Sequence, residues 1–552
     1  MPLIASGSVA TAHPIAPTYD RATQGWILPR AVPPRSPISI DLAPGSEAAG
    51  SACEWTFATN VRAHPDQAAQ HLWPDIALGP GGLVAVAWMD DHAAGGYHIF
   101  YSTSIDGGIT WTSPEKIDNR AAGSYSKFVD LEFTPSGVPV AVWEDDRLGG
   151  INAYFSKRDP AAGGTPWTPS LKLNTVGGAP TGTDFMNLSI AILDDQRYYV
   201  AWTDWREGAL HQVYARGTTN GGTTWGTETR VSDEIGFQPV AGDPCLIVDQ
   251  TSGNPPGSEV LHCVTNDWRG NVPGGRYPNV YAYRSTNGGA TWSIGVRVND
   301  IEPLYQQTSS HALVQLADGT LCAGWLNSVT GPSQFRTSVS TDQGQTWSAS
   351  VQADPGIGGG TGTYSSIIAT GSWAFAGFDI YEGNWNAYLR ISSDGGRTWV
   401  ADACRMDDDV TGSPTSNLVL AARSPVEVFG AWSDGRPGGA WKIYTTHGTR
   451  PAAEIPLPPE STAAGLRCQP NPSTAGTPVA ITWDATGDSH ELVIYDAQGR
   501  GIRTLPIGAG AAMATWDGRN GVGRLTPAGL YWVRVAAGDG RPAAVTRVVR
   551  VR

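Results

Sequence analysis

The chain has 552 residues, enough for a large core and more than one domain. Asp and Glu outnumber Lys and Arg by 51 to 37, a net charge of −14 with no basic stripe, which argues against a nucleic-acid partner. There is no apolar run of about 20 residues to form a transmembrane segment, and six cysteines are too few to build a fold of this size from disulfides.

The first twelve residues read as the remnant of a longer signal peptide. Leu3–Ala12 is short and lacks a basic start, but Ala10-Thr11-Ala12 has the small-x-small form of a cleavage site. Residues 13–50, rich in Pro, Ala and Ser, read as an irregular lead-in. Asn60–Ala63 (NVRA) has the look of a short outer strand standing apart from any repeat.

From there a unit recurs. Its first landmark is an apolar strand that ends in a polar, mostly acidic residue: Val84–Asp90, Val140–Asp145, Tyr199–Asp204, His262–Asp267, Leu321–Asn327, Ala374–Asp379 and Val428–Asp434. A second strand follows most of them, for example His98–Ser102 or Lys442–Thr445. Next comes an octapeptide, S/T-x-D/N-x-G-x-T-W, written five times at 104–111, 218–225, 285–292, 340–347 and 392–399. An Asp or Asn that accepts from its own turn, a Gly for positive φ and a large closing Trp make this a self-contained hairpin clip. The Trp should pack between neighbouring sheets. The first gap between clips hides a unit, whose degenerate clip is Gly163–Trp167. The seventh unit lacks an outer strand, and Asn60–Ala63 can supply it and close a ring.

The octapeptide resembles the Asp box, or BNR repeat, of sialidase-like β-propellers. The resemblance implies an all-β propeller over residues 51–450. The seven repeat units make it seven-bladed, whereas the common sialidase catalytic domain has six blades, the lesser alternative here. The clips join the third and fourth strands of each blade, so the loops between second and third strands leave the opposite face, around the channel. Those loops carry a repeated Asp-x-Arg: Asp145 with Arg147, Asp204 with Arg206, Asp267 with Arg269, and Asp434 with Arg436. Asp90 stands in the same place in the first unit, and Trp205 and Trp268 lie inside the motif. Each Asp and Arg could pin its own loop, or together they could form a sugar-binding mouth. Asp118, Asp233, Asp300, Asp354 and Asp407 mark the junctions to the next blade.

Sialidases would add an arginine clamp for the substrate carboxylate, a Tyr nucleophile activated by a Glu, and an F/Y-R-I-P motif. That motif is absent, and Tyr381-Glu382 are neighbours on a strand that point opposite ways. The catalytic residues are therefore left unassigned. The reading preferred is a propeller that binds glycan or protein through its channel-mouth face. The alternatives are an exo-sialidase or related glycoside hydrolase with a divergent site, or an extracellular structural scaffold. Cys245 and Cys263 fall on consecutive strands and could pair or remain buried thiols. No zinc-type spacing is present and no cofactor is expected, although the acidic balance would tolerate structural calcium.

Residues 451–466 read as a Pro-rich linker. From 467 to 552 short strands alternate with Gly/Asp turns, a small Ig-like β-sandwich. The order IYD, QGR, WDGRN, PAG at 494–529 resembles FlgD-type Ig-like domains and the C-terminal modules of type IX secretion cargo. It implies an exported bacterial protein, extracellular or at the cell surface, whose partners are a glycan or an extracellular protein, with secretion machinery engaging 467–552.

Overall fold

The computed structural model describes residues 18–20 and 25–27 and most of 53–450 and 466–551, with interruptions that include 177–185, 234–240, 268–278 and 301–308. The signal remnant at 1–12 and the linker at 451–465 lie outside the described residues. Within the lead-in, Thr18–Asp20 and Gly25–Ile27 pair as a two-stranded sheet, where an irregular segment was expected. The described residues are almost wholly β, with one 3₁₀ turn at Pro80–Gly82.

Among the described residues, seven antiparallel sheets follow one plan. In the first, His71–Leu78, Val84–Asp90, His98–Ser104 and Glu115–Lys116 lie side by side in chain order. The apolar strand of each sequence repeat is the second strand, and in all seven sheets that strand's core is buried. It has strands on both edges and a neighbouring sheet on each face, so its sequence runs continuously apolar instead of alternating. The first strands of successive sheets pack against one another, and Thr415–Ser424 of the last packs against His71–Leu78 of the first. The sheets thus form a closed ring with the first strands innermost.

The N-terminal segment closes that ring. Val61–Arg62 pairs with Tyr444 and Thr445 of the last sheet, where the fourth strand belongs, and Thr56–Phe57 adds to the same edge. Asn60 fixes the join. Its backbone N–H donates to Asp408 at 2.9 Å and its side-chain amide to the Met406 carbonyl at 3.1 Å. A disulfide from Cys53 to Cys404 ties the segment to the outer strand of the sixth sheet. Cys245 and Cys263 are not paired. Cys245 stands opposite Val264 and Cys263 opposite Leu246, so the two thiols point to opposite faces of their sheet.

The clips form as their residues dictate. In the first, Ser104 Oγ donates to Asp106 Oδ1 at 2.7 Å and accepts from Gly108 N at 2.8 Å. Thr110 N donates to Asp106 Oδ1 at 2.9 Å. Hydrogen bonds from Thr110 and Ser104 hold the Asp106 carboxyl down at about 2. Gly107 and Gly108 take φ of 75° and 85°, which a Cβ would strain. The clip tryptophans wedge between sheets: Trp111 between the seventh and first, Trp225 between the second and third, Trp399 between the fifth and sixth.

Residues 466–551 form two sheets of three and five strands. Val479, Ile481, Leu492, Ile494, Trp516, Val533 and Val548 are buried between them. In the WDGRN turn, Gly518 has φ 73°, and a Cβ there would collide with the Arg550 guanidinium.

Candidate functional site at the axial loops

The clips and the Asp-x-Arg loops sit at opposite ends of the sheets, because they join different strand pairs. At the loop end the arginines are already engaged. Trp202 Nε1 donates to Asp204 Oδ2 at 2.9 Å. Asp204 in turn accepts Arg206 Nε at 2.8 Å and Nη2 at 2.7 Å. The Arg206 guanidinium lies 3.9 Å over the ring of Tyr214, which stands opposite Trp202 on the third strand. Asp145 and Arg147 repeat this over Tyr154, and Asp434 and Arg436 over Tyr444. Burial works against the Asp145 anion, but the Arg147 and Ser126 hydrogen bonds outweigh it and hold its pKa below the ordinary range. Each ring is therefore a local Trp–Asp–Arg–Tyr stack within its own sheet.

The other sequence-derived residues are similarly committed. Asp90 accepts from Trp88 Nε1 at 3.1 Å and meets His71 Nε2 at 3.2 Å. Asp267 accepts from Tyr283 OH at 3.0 Å, while Trp268 and Arg269 lie outside the described residues. Trp205 is half-buried and stacks on His211 at 4.8 Å. Glu382 bonds Tyr388 OH at 2.6 Å, and Tyr381 leans on Trp385. Tyr388 is the sixth sheet's copy of the third-strand tyrosine. Burial, then the Glu382 hydrogen bond, pushes its pKa up, the wrong direction for a nucleophile. The junction acids are pins as well: Asp118 accepts Ile99 N at 2.7 Å and Asp407 accepts Ala387 N at 2.9 Å.

Inside the arginines the structure presents a second ring that the sequence did not announce. The first strand is irregular at this end in every sheet but the third, and in the first, second, fourth and seventh the bulge begins with a non-glycine residue of positive φ. These are Trp73 (55°), Phe128 (50°), Asp243 (52°) and Asn417 (61°), and Asn187 (40°) precedes the first strand of the third sheet. Such a conformation costs roughly 1–3 kcal/mol for a bulky side chain. It re-aims the side chain near the axis. Trp73 and Phe128 meet edge to face at 4.8 Å, and both are half-buried. On the next two sheets Asn187 donates to Asp243, which also accepts Asn266 Nδ2 at 2.9 Å. Lys127 lies 5.0 Å over the Tyr125 ring beside them.

The bulges are held from the preceding sheet by the middle residue of its Trp-x-Asp. Ser433 Oγ accepts Trp73 N at 3.3 Å, Thr203 Oγ1 accepts Asp243 N at 3.1 Å, and Glu144 Oε2 accepts Met186 N at 2.8 Å. In the sixth sheet Asp379 accepts the Thr415 hydroxyl at 2.8 Å. Burial raises the pKa of Glu144 and of Asp379 to about 7. Near-neutral acids suit proton transfer, but these two hold backbone and hydroxyl groups of the next sheet at related places in the repeat. Deeper along the wall, burial raises Asp75 to about 6, and burial with the nearby Asp75 charge raises Glu132 to about 7. Among the described residues no group of His, Cys, Asp and Glu is placed to hold a metal ion.

Together these features define a class, an Asp-box β-propeller followed in sequence by an Ig-like β-sandwich. The family model for the BNR/Asp-box repeat matches residues 338–349, and that for the FlgD Ig-like domain matches 469–541. Basal-body rod modification protein FlgD of Salmonella typhimurium is 32% identical over 89 residues, 16% of this chain. The match spans 38% of that protein's own length. Among solved structures, a Dyadobacter fermentans protein of unknown function is similar at 14% identity and a TM-score of 0.47, covering 72% of this chain and 100% of that one. The NanB sialidase of Streptococcus pneumoniae is similar at 13% identity and a TM-score of 0.37, covering 69% and 68%. A Penicillium chrysogenum α-L-arabinanase complexed with arabinobiose is similar at 14% and 0.43, covering 61% and 98%.

Proposed function

We propose that this is an exported carbohydrate-binding propeller, and that the sugar seats at the axial loop end of the first four sheets. The observation that carries this reading is the strained bulge ring. The first two sheets present an edge-to-face Trp73–Phe128 pair, and the third and fourth present the planar amide and carboxylate groups of Asn187, Asp243 and Asn266 at the same end of the ring. Sugars are held by apolar ring faces together with planar hydrogen-bonding groups that match their hydroxyls. The arginines do not favour a sialic-acid clamp, because Arg147, Arg206 and Arg436 each already hold a carboxylate of their own loop. Export is supported by the Cys53–Cys404 disulfide, which suits an oxidising compartment. On this reading the Ig-like unit serves secretion or surface attachment.

A glycan array on the purified chain, followed by titration calorimetry of the best ligand, tests the reading. Trp73→Ala and Asp243→Ala should each weaken binding at least tenfold while leaving the circular dichroism spectrum unchanged. An array with no binding would overturn it. Turnover of a fluorogenic sialoside that is abolished by Arg206→Met would replace it with a hydrolase.

A further inference from the structure

At the opposite end of the ring, the fourth and fifth sheets leave a cleft of about 270 Å³ among the clips. His262, Ala282, Arg284, Ile294, Gln343 and Trp347 are on its walls. It exists because one position of the repeat changes. Each clip tryptophan leans on the third strand of the preceding sheet. In the fifth sheet the residue beneath it is Thr337, whose hydroxyl accepts Trp399 Nε1 at 3.0 Å. In the second sheet it is Phe155, edge-on to Trp225 at 5.1 Å, and in the first Tyr101, edge-on to Trp167 at 5.3 Å. The third sheet has Ala215, but its cross-strand neighbour Thr229 accepts Trp292 Nε1 at 3.3 Å. The fourth sheet has Ala282 opposite Val296, which neither fill the space nor accept a hydrogen bond.

Three buried nitrogens on these walls lack a hydrogen-bond partner: Trp347 Nε1, Arg284 Nε and His262 Nε2. The indole N–H groups of Trp167 and Trp225 are unpartnered too, but Tyr101 and Phe155 fill the space beneath them. His262 is 2% exposed, and its Nε2 stands 4.0 Å from Asp249 Oδ2, beyond hydrogen-bond length. Arg284 Nη2 donates to the side-chain amide oxygen of Gln343, and no carboxylate pairs with it among the described residues. Buried polar groups are rarely left unsatisfied in native proteins, and each exception calls for an explanation.

We infer that this cleft binds a small organic carboxylate that carries a compact apolar group such as an aromatic ring. Ile294, Val296, Leu313 and Leu321 supply apolar wall for the ring. The Trp347 indole N–H and the Arg284 guanidinium supply donors for the carboxylate oxygens. The size agrees: a cavity of about 150 Å³ takes benzene, so 270 Å³ leaves room for the acid group. This site lies on the clip face and is independent of the sugar seat at the loop end.

Saturation-transfer NMR with benzoate on the full chain tests the inference, with neutral benzamide as the comparison. Benzoate should show transfer and bind at least tenfold more tightly than benzamide. Ala282→Thr, which restores the Thr337–Trp399 arrangement, should abolish transfer while keeping or raising the thermal midpoint. Arg284→Gln should remove the preference for benzoate over benzamide. No transfer to benzoate, equal binding of benzamide, or undiminished binding in a folded Ala282→Thr variant would each overturn it.

Discussion

Glu144 is a buried acid whose environment favours the neutral form, and its effect on stability has a definite sign. Its ordinary value is 4.5 and burial raises it to about 7 in the folded chain. Below pH 4.5 the carboxyl is protonated in both states and contributes its full stabilisation. As pH rises through 7 the folded state must ionise a buried group, and roughly 3 kcal/mol is lost. Glu144→Gln removes this titration. Urea unfolding should show the variant gaining on the wild type by about that amount between pH 4 and pH 8; parallel pH profiles would refute the assignment. Asp204 is a test of the Trp–Asp–Arg–Tyr stack, because it is buried and bonded to both Trp202 and Arg206. Asp204→Asn leaves Arg206, 16% exposed, with only Glu228. Removing one member of a fully buried pair costs about 3–5 kcal/mol, and the exposure of Arg206 reduces the expected loss to about 2–3. A loss below 0.5 kcal/mol, within the range of ordinary surface changes, would mean the stack contributes little.

Among the elements, the N-terminal segment is the one whose hold on the molecule is most directly testable. Cys53 and Cys404 are 351 residues apart, so their bond ties the N-terminal segment to the outer strand of the sixth sheet across almost the whole propeller sequence. Reduction, or the Cys53→Ala/Cys404→Ala pair, should lower unfolding stability by about 2–4 kcal/mol. Cys245→Ser should leave the difference between oxidised and reduced protein unchanged; a change would implicate that thiol in the bond. Sequence reading reached some of these elements and missed others for physical reasons. The seven second strands and the orphan NVRA segment were legible because buried strands are apolar runs and a ring needs a fourth strand for its last sheet. The disulfide was not, because its cysteines share no local pattern and meet only after the ring has closed. Asp-x-Arg repeats were visible, but whether an arginine faces its own aspartate or a ligand is decided by side-chain geometry. The bulge ring was invisible because Trp73 and Phe128 reach positive φ without a glycine to signal it. Trp347 reads as an ordinary clip tryptophan, and only the strand register reveals Ala282 beneath it.

For the whole propeller, closure carries an energetic consequence. The ring leaves no first strand without neighbours on both sides, and the last sheet obtains its fourth strand from residues that precede the first. Deleting residues 1–64 removes that strand, the disulfide and the Asn60 bonds to Met406 and Asp408 together. Lys442–Thr449 then becomes a free edge of unpaired N–H and C=O groups, a template for pairing with another chain. The truncated chain should therefore elute as dimers or larger species in size-exclusion chromatography and unfold at a lower midpoint. A synthetic peptide of residues 53–64, added under oxidising conditions, should restore the monomer by refilling the edge and re-forming the bond to Cys404. If the truncated chain stays monomeric at the wild-type midpoint, the first six sheets and the remainder of the seventh hold the ring without help, and the N-terminal strand is an ornament on a closed surface. Rescue by the peptide would instead identify strand exchange at this edge as the step on which the stability of the ring depends.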